Sequence, residues 1–286
     1  MDDVCVSIIT PFYKGNRYMQ QLIECVSRNA KTAENYHIEL VIVNDSPGVE
    51  PEYDATWIKD FDLHIVNNVQ NMGILRSRAE GVRNARGQYV IMLDQDDLLS
   101  DNAVKTQMLC IDDGDIVVGN GLDQNPNNEG AIYKSRRQQE KVLEKRFYYT
   151  IGNLIVSPGQ VMIRKDIIPD LWLKSDLKQN GSDDLLLWLI LLNGEYKWRL
   201  NYHSVYVHIY TGENVSSDLE KMVTSSMEVL DILEINHMIS ESERKRCVKR
   251  FNMRKRYEGQ GMLRKIMAYA CYPGLALEMV KYKYKR

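Results

Sequence analysis

Paired cysteines are missing from this sequence. Its five, Cys5, Cys25, Cys110, Cys247 and Cys271, are scattered through 286 residues, and no Cys-x-x-Cys occurs. An odd, dispersed set argues against a disulfide framework or a zinc site and fits reduced thiols in a cytoplasmic protein. Long apolar runs are missing too. The nearest candidate for a membrane span, Ile266 to Val280, is broken by Pro273-Gly274. The first residues are acidic (Asp2, Asp3), and the apolar run after them stops at Pro11. That lacks the basic start and longer apolar core of a secretory signal. No Gly-x-Gly-x-x-Gly occurs, which disfavours a dehydrogenase. There is no internal repeat and no low-complexity linker.

What is present supports a globular chain: 44% of residues are hydrophobic, enough for a sizeable core. The net charge of −2 hides an asymmetry, since residues 241–286 hold 14 Lys+Arg against 4 Asp+Glu. That segment carries +10 and the remainder −12. Such a tail suits an anionic membrane surface or an acidic partner, or is a solvated helical face. The run Lys281-Tyr282-Lys283-Tyr284-Lys285-Arg286 follows the apolar segment Met262–Val280, a pairing suited to anionic lipid. Nucleic acid is not expected as a partner.

Apolar runs closed by turn signals mark strands at Val4–Thr10, Glu39–Val43, Leu63–Asn67 and Tyr89–Asp94. Helical spacing at Tyr18–Ala30 and Arg76–Ala85 separates them, so an α/β fold with a mostly parallel sheet flanked by helices is expected. Further along, the pattern predicts a helix over Leu98–Asp112 and a strand at Asp115–Gly119. It predicts a polar loop over Asp123–Gly130 and a charged helix or flexible segment over Ser135–Lys145. A strand region over Asn153–Arg164, an apolar helix over Asp183–Leu192 and a strand at Val205–Tyr210 follow. From Asp218 on the pattern is helical and increasingly basic. The change of composition near residue 214 divides a catalytic domain, 1–214, from a C-terminal helical extension, 215–286.

The most informative stretch is Tyr89 to Asp97. A buried-strand pattern ends in Asp94-Gln95-Asp96-Asp97, three carboxylates within four residues. In an α/β sheet that is where ligands bind. Crowded carboxylates repel, and a divalent cation carrying a substrate diphosphate would hold them, since hard oxygens suit Mg²⁺ and Mn²⁺. Three other strand ends are distinctive: Pro11-Phe12-Tyr13, Asn44-Asp45-Ser46, and Asn71-x-Gly73 with Arg78.

Together with Ser157–Lys165 and Gly181-Ser182-Asp183-Asp184-Leu185-Leu186-Leu187-Trp188, these motifs resemble the GT-A glycosyltransferases of family 2 over about residues 4–212. The resemblance implies an inverting, metal-dependent hexosyl- or N-acetylhexosaminyltransferase. It would use a nucleotide-sugar, with UDP as the nucleotide, and act on a glycan or polyprenyl-linked acceptor in surface polysaccharide synthesis. Residues 1–120 would bind the nucleotide-sugar and 121–214 the acceptor, in the cytoplasm or peripherally on the inner face of the cell membrane. Pro11 and Tyr13 would wall the base, and Asp45 would accept from a base N–H. Asn71 and Gly73 would approach phosphate or ribose, and Arg78 would offset diphosphate charge or lock the acidic motif. Asp94 and Gln95 complete the donor side. Asp96, with His208, would hold Mn²⁺ or Mg²⁺, and Asp97 would cap the following helix. The general base falls on Asp184. Because Asp183 stands where the family has Glu, the division of labour between the two acids is open. A sugar nucleotidyltransferase or a non-catalytic nucleotide-sugar-binding module are the competing classes. The first should show a Gly-rich basic loop after the first strand, of which Pro11-Phe12-Tyr13-Lys14-Gly15 is only a weak imitation; the second should have lost acids that are all present.

Overall fold

A computed structural model describes residues 5–124, 129–212, 218–257 and 261–284. Asp2, Asp3 and Val4, residues 125–128 of the expected polar loop, the expected boundary near 214 and the last two residues of the basic tail lie outside the described residues.

Strands and helices alternate at first: β1 (Cys5–Phe12), α1 (Asn16–Thr32), β2 (His37–Asn44), β3 (Asp62–Asn67), α2 (Ile74–Asn84) and β4 (Tyr89–Met92). β1 pairs in parallel with β2 and β4, and β2 with β3. Every residue of β4 is buried, as a strand covered on both faces requires. α1 buries Met19, Leu22, Ile23 and Val26, at successive three- and four-residue spacings, so one stripe faces the core.

Then come β5 (Leu98–Leu99), α3 (Ala103–Ile111), β6 (Ile116–Asp123), β7 (Gly130–Ala131), β8 (Val161–Arg164) and β9 (Trp198–His208). The sheet runs β3-β2-β1-β4-β8-β6-β9-β5, with β7 on β6. β8 is antiparallel to both β4 and β6, and β9 runs parallel to β6. The α/β class and the four leading strands are those the sequence predicts.

Several element boundaries differ, and the strand expected at Asp115–Gly119 runs over Ile116–Asp123 because its last residues pair with β7 and β9. The helix expected from Leu98 starts at Ala103, because Leu98 and Leu99 pair with Val207 and Tyr206 of β9. The strand region expected from Asn153 is extended only over Val161–Arg164. Ser157 and Gln160 close a turn before it, each side chain satisfying the other's backbone N–H. β9 begins at Trp198, since its pairing with β6 runs from Ile116 onward. Polar Asn201–Ser204 hides that strand from a hydrophobicity reading.

The chain forms two compact units that interleave in sequence, not a single division at residue 214. The first holds 1–133, 156–176 and 196–214; the second holds 134–155, 177–195 and 215–286. The first includes the sheet and a short helix, α6 (Asp170–Lys174). α4 (Arg136–Glu140), α5 (Lys145–Thr150) and α7 (Asp183–Leu191) join α8 (Leu219–Ile235), α9 (Glu241–Tyr257), α10 (Met262–Cys271) and α11 (Pro273–Tyr284) in the second. The physical reason is packing: α5 lies against α9 and α11, and α7 against α8.

The beginnings of the parallel strands are fastened by Glu39, the third residue of β2. Its fully buried carboxylate accepts from Ser7 Oγ, from the backbone N–H of Arg86 and from Arg86 Nε at 2.7 Å. Burial alone would raise its pKa, but these hydrogen bonds outweigh it and hold the group below its usual value.

Candidate active site

At the opposite ends of β1, β2 and β4 the first unit gathers ten of the sequence-predicted residues. β1 ends through Pro11 and Phe12 and leads to Tyr13, a residue 47% exposed with Lys14 Nζ 5.2 Å from its ring centroid. The Tyr13 backbone is gripped from both sides by Gln95: Oε1 accepts its N–H at 3.0 Å and Nε2 donates to its carbonyl at 3.2 Å. A side chain at Gly15 would collide with that grip, since a Cβ there would lie 2.1 Å from Gln95 Oε1. Lys14 N donates to Ser46 Oγ at 2.7 Å, joining the loop to the end of β2.

Asp45, 4% exposed, organises the next loop. Its Oδ1 accepts from Asn68 Nδ2 at 2.8 Å and from Met72 N at 2.7 Å; its Oδ2 accepts from Gly73 N at 2.9 Å. A carboxylate has about four lone-pair sites, so room for one further donor remains. Asn71 Oδ1 also accepts from Gly73 N. Gly73 has φ of +82°, a conformation that glycine adopts without a Cβ penalty, and α2 starts directly after it. Arg78 on α2 is only 3% exposed and donates from Nη2 to Asp94 Oδ1. Arg78 is thus paired with the acidic motif.

After β4 the chain turns, with Asp97 N donating to Asp94 O. Asp97 does not cap a helix. Its buried carboxylate accepts from Tyr206 Oη and from Ile209 N at 2.9 Å, and lies 3.2 Å from His208 Nδ1. Position explains the difference, because β5 and its turn intervene before α3 begins. Asp96 is left between two carboxylates. Burial, then the charges of Asp97 and Asp94, push its pKa up to about 6. His208, the last residue of β9, is raised above its ordinary value by its hydrogen bond to Asp97. With Nδ1 turned to a carboxylate, its ring has the orientation in which a histidine offers Nε2 to a cation.

Asp183 and Asp184 belong to the second unit. They open α7 as expected, and both are buried, at 2% and 8% exposure. Asp184 Oδ2 accepts from Asn153 Nδ2 at 2.6 Å, and Oδ1 from Leu185 N at 2.7 Å. Ser182, just before them, shares a hydrogen bond of 2.9 Å with Ser226 of α8.

Asn153, Tyr206 and Asn68 were not singled out from the sequence. Asn68 carried a signal, as a polar residue directly after β3. Asn153 carried none, because its partner is 31 residues away.

A parallel sheet that turns mixed beyond β4, flanked by helices and loaded with carboxylates at one edge, defines a glycosyltransferase of the GT-A fold. The chain belongs to glycosyl transferase family 2, whose model matches residues 7–172, more than half of the sequence. It is similar to the glycosyltransferase GlyG of Streptococcus pneumoniae serotype 4, with 28% identity over 131 residues, 45% of this chain and 42% of that protein. It is also similar to the minor teichoic acid biosynthesis protein GgaB of Bacillus subtilis, with 25% identity over 260 residues, 81% of this chain and 27% of that protein. The chain thus spans less than half the length of either relative. Among solved structures it resembles S. aureus TarS 1-349 in complex with UDP-GlcNAc, with TM-score 0.63 and 17% identity over 89% of this chain and 73% of that one. At that identity the likeness is one of fold.

Proposed function

We propose that the chain transfers one sugar from a UDP-sugar to a hydroxyl of a glycan or lipid-linked acceptor in surface polysaccharide synthesis, inverting the anomeric centre. The observation that carries this reading is the crowded turn Asp94–Asp97, where burial and then the charges of Asp97 and Asp94 push Asp96 up to about 6. A cation relieves the same repulsion that a proton relieves. The choice of UDP is supported by the neighbouring TarS structures, whose complexes hold UDP-GlcNAc and UDP.

In this reading Tyr13 and Pro11 wall the base. Asp45 offers its remaining lone pair to a base N–H, and Asn71 and Gly73 face the ribose and phosphates. Gln95 holds Tyr13 in place. Arg78 fixes Asp94 on the donor side. Asp96 and His208 would hold Mn²⁺ or Mg²⁺, a fit supported by the hard carboxylate and by the tethered imidazole. Among the described residues no three His, Cys, Asp or Glu side chains form a cation site, and a cation carried on a diphosphate needs only one or two. Such an ion, when bound, offsets charge on the departing diphosphate. The acceptor oxygen attacks the anomeric carbon, the bond from that carbon to the diphosphate oxygen breaks, and Asp184 takes the hydroxyl proton. Asn153 orients the Asp184 carboxylate.

The test is transfer from a panel of nucleotide-sugars, read as release of free nucleoside diphosphate, with donor binding measured by calorimetry. Asp184→Asn should lower transfer by about 10²- to 10⁴-fold and leave donor affinity unchanged. A larger loss in Asp183→Asn would move the base to Asp183, and no turnover with any UDP-sugar would overturn the donor assignment.

A further inference from the structure

The second unit carries a cavity that the transfer reaction does not use. It measures about 480 Å³ and lies where α10 meets α11, against α9 and the end of α5. Arg246 and Lys249, one turn apart on α9, supply its cations; Thr150 adds a hydroxyl, and Tyr272 and Leu275 an apolar wall. Neither cation forms an ion pair with a described residue. Its one acid, Glu278, is engaged by Lys281 at 2.6 Å. Two open positive charges above an apolar wall fit an anionic group attached to hydrocarbon.

The surfaces beside this cavity have the same character. Met253, Ala268 and Leu275 form a small core among α9, α10 and α11, which fixes the inward sides of α10 and α11. Opposite Ala268, the helical period aligns Met262, Ile266 and Ala270, with Met267 beside them. Met262 is 81%, Ile266 57% and Met267 61% exposed. On α11, Leu277 and Val280 stand one turn apart, both more than half exposed. Exposed Arg264 and Lys265 lie on the same helix as the first stripe, and exposed Arg254, Lys255 and Arg256 end α9. Apolar stripes on short helices, flanked by cations, are the pattern of helices that lie in a membrane interface. Among the described residues no helix is long and apolar enough to cross a membrane.

We infer that α9–α11 dock the protein on an anionic lipid bilayer, with a lipid phosphate headgroup seated between Arg246 and Lys249 and the α10 and α11 stripes resting in the acyl boundary. Charge complementarity selects this occupant over an apolar partner: residues 241–286 hold 14 Lys+Arg and 4 Asp+Glu. The inference does not depend on which sugar is transferred.

The experiment is co-sedimentation of the full chain with phosphatidylglycerol vesicles and with phosphatidylcholine vesicles. Binding should favour phosphatidylglycerol and weaken with salt. Arg246→Gln with Lys249→Gln should weaken it roughly 10- to 30-fold. Lys59→Gln with Lys105→Gln, which removes equal charge from exposed positions in the other unit, should leave it unchanged. Ile266→Ser with Met267→Ser should weaken it on its own, and 10 mM glycerol phosphate should not displace the protein. Equal binding to both lipids, equal loss in the two charge pairs, or full binding by the serine pair would overturn the inference. So would displacement by glycerol phosphate, which would make the cavity a site for a free phosphate ester. Self-association abolished by the serine pair would assign the face to a second copy of the chain and overturn it too. Circular dichroism checks that each variant is folded, and unchanged donor binding separates this result from failure of the proposed transfer reaction.

Discussion

The two ends of the same parallel strands treat a carboxylate in opposite ways. Where the strands begin, Glu39 is wholly buried, yet hydrogen bonds from Ser7 and Arg86 keep it below its ordinary pKa. Where they end, Asp96 is pushed up to about 6, first by burial and then by the charges of Asp97 and Asp94. Burial raises both groups, so it does not set the opposite signs. The partners do: donors surround Glu39, whereas other acids surround Asp96. One end is arranged for stability, and the other holds unrelieved repulsion that a ligand can release. Such a division is expected where a site is carried at functional cost to the fold.

Removing Asp96 should separate the two ends most sharply. Asp96→Asn should lower sugar transfer by about 10²- to 10³-fold, the scale of losing one electrostatic stabiliser. Its melting temperature should stay the same or rise, because a repulsive charge is gone. A large fall in melting temperature would show that Asp96 serves the fold.

Glu39→Gln should do the reverse. It should cost roughly 2 kcal/mol of stability, since it leaves Arg86 and its N–H poorly matched, and keep the per-molecule transfer rate. The sign of the pH effect follows from the lowered pKa. Wild-type stability from this group is full above the usual glutamate value of 4.5 and is lost as pH falls through the folded value. Chemical denaturation at several pH values should therefore show a shallower acid loss in the variant.

Asn153→Ala tests whether the second unit's acid behaves like Glu39, as a group held by donors. It should lower transfer about 10-fold, less than Asp184→Asn, with donor affinity intact. Tyr206→Phe should have the smallest effect. It removes one donor to Asp97 and should cost about 1 kcal/mol of stability, read from a denaturation midpoint. Any fall in activity should be smaller than for Asp96→Asn.

The legible parts of this molecule were local. β1 to β4 could be read because each is an apolar run closed by Pro11, Asn44-Asp45, Asn67-Asn68 or the Asp94–Asp97 turn, and the residues at their ends could be read with them. α7 opened on its two acids for the same reason. What escaped depends on distant partners. Leu98 and Leu99 look helical until β9 pairs with them. Asp97 looks like a cap until Tyr206 and Ile209 reach it from over a hundred residues away. The interleaving of the two units has no local signature, because α5 and α9 meet through side chains that each look like an ordinary helical face.

The grip of Gln95 on the Tyr13 backbone has an evolutionary consequence. Both of its bonds need a full-length amide side chain, and that side chain occupies the space a Cβ at position 15 would take. Alanine at 15 can be accommodated only if Gln95 swings away, which releases Tyr13. Positions 15 and 95 are therefore not independent letters. Among descendants of this sequence, a residue larger than glycine at 15 should appear only where position 95 has already become shorter.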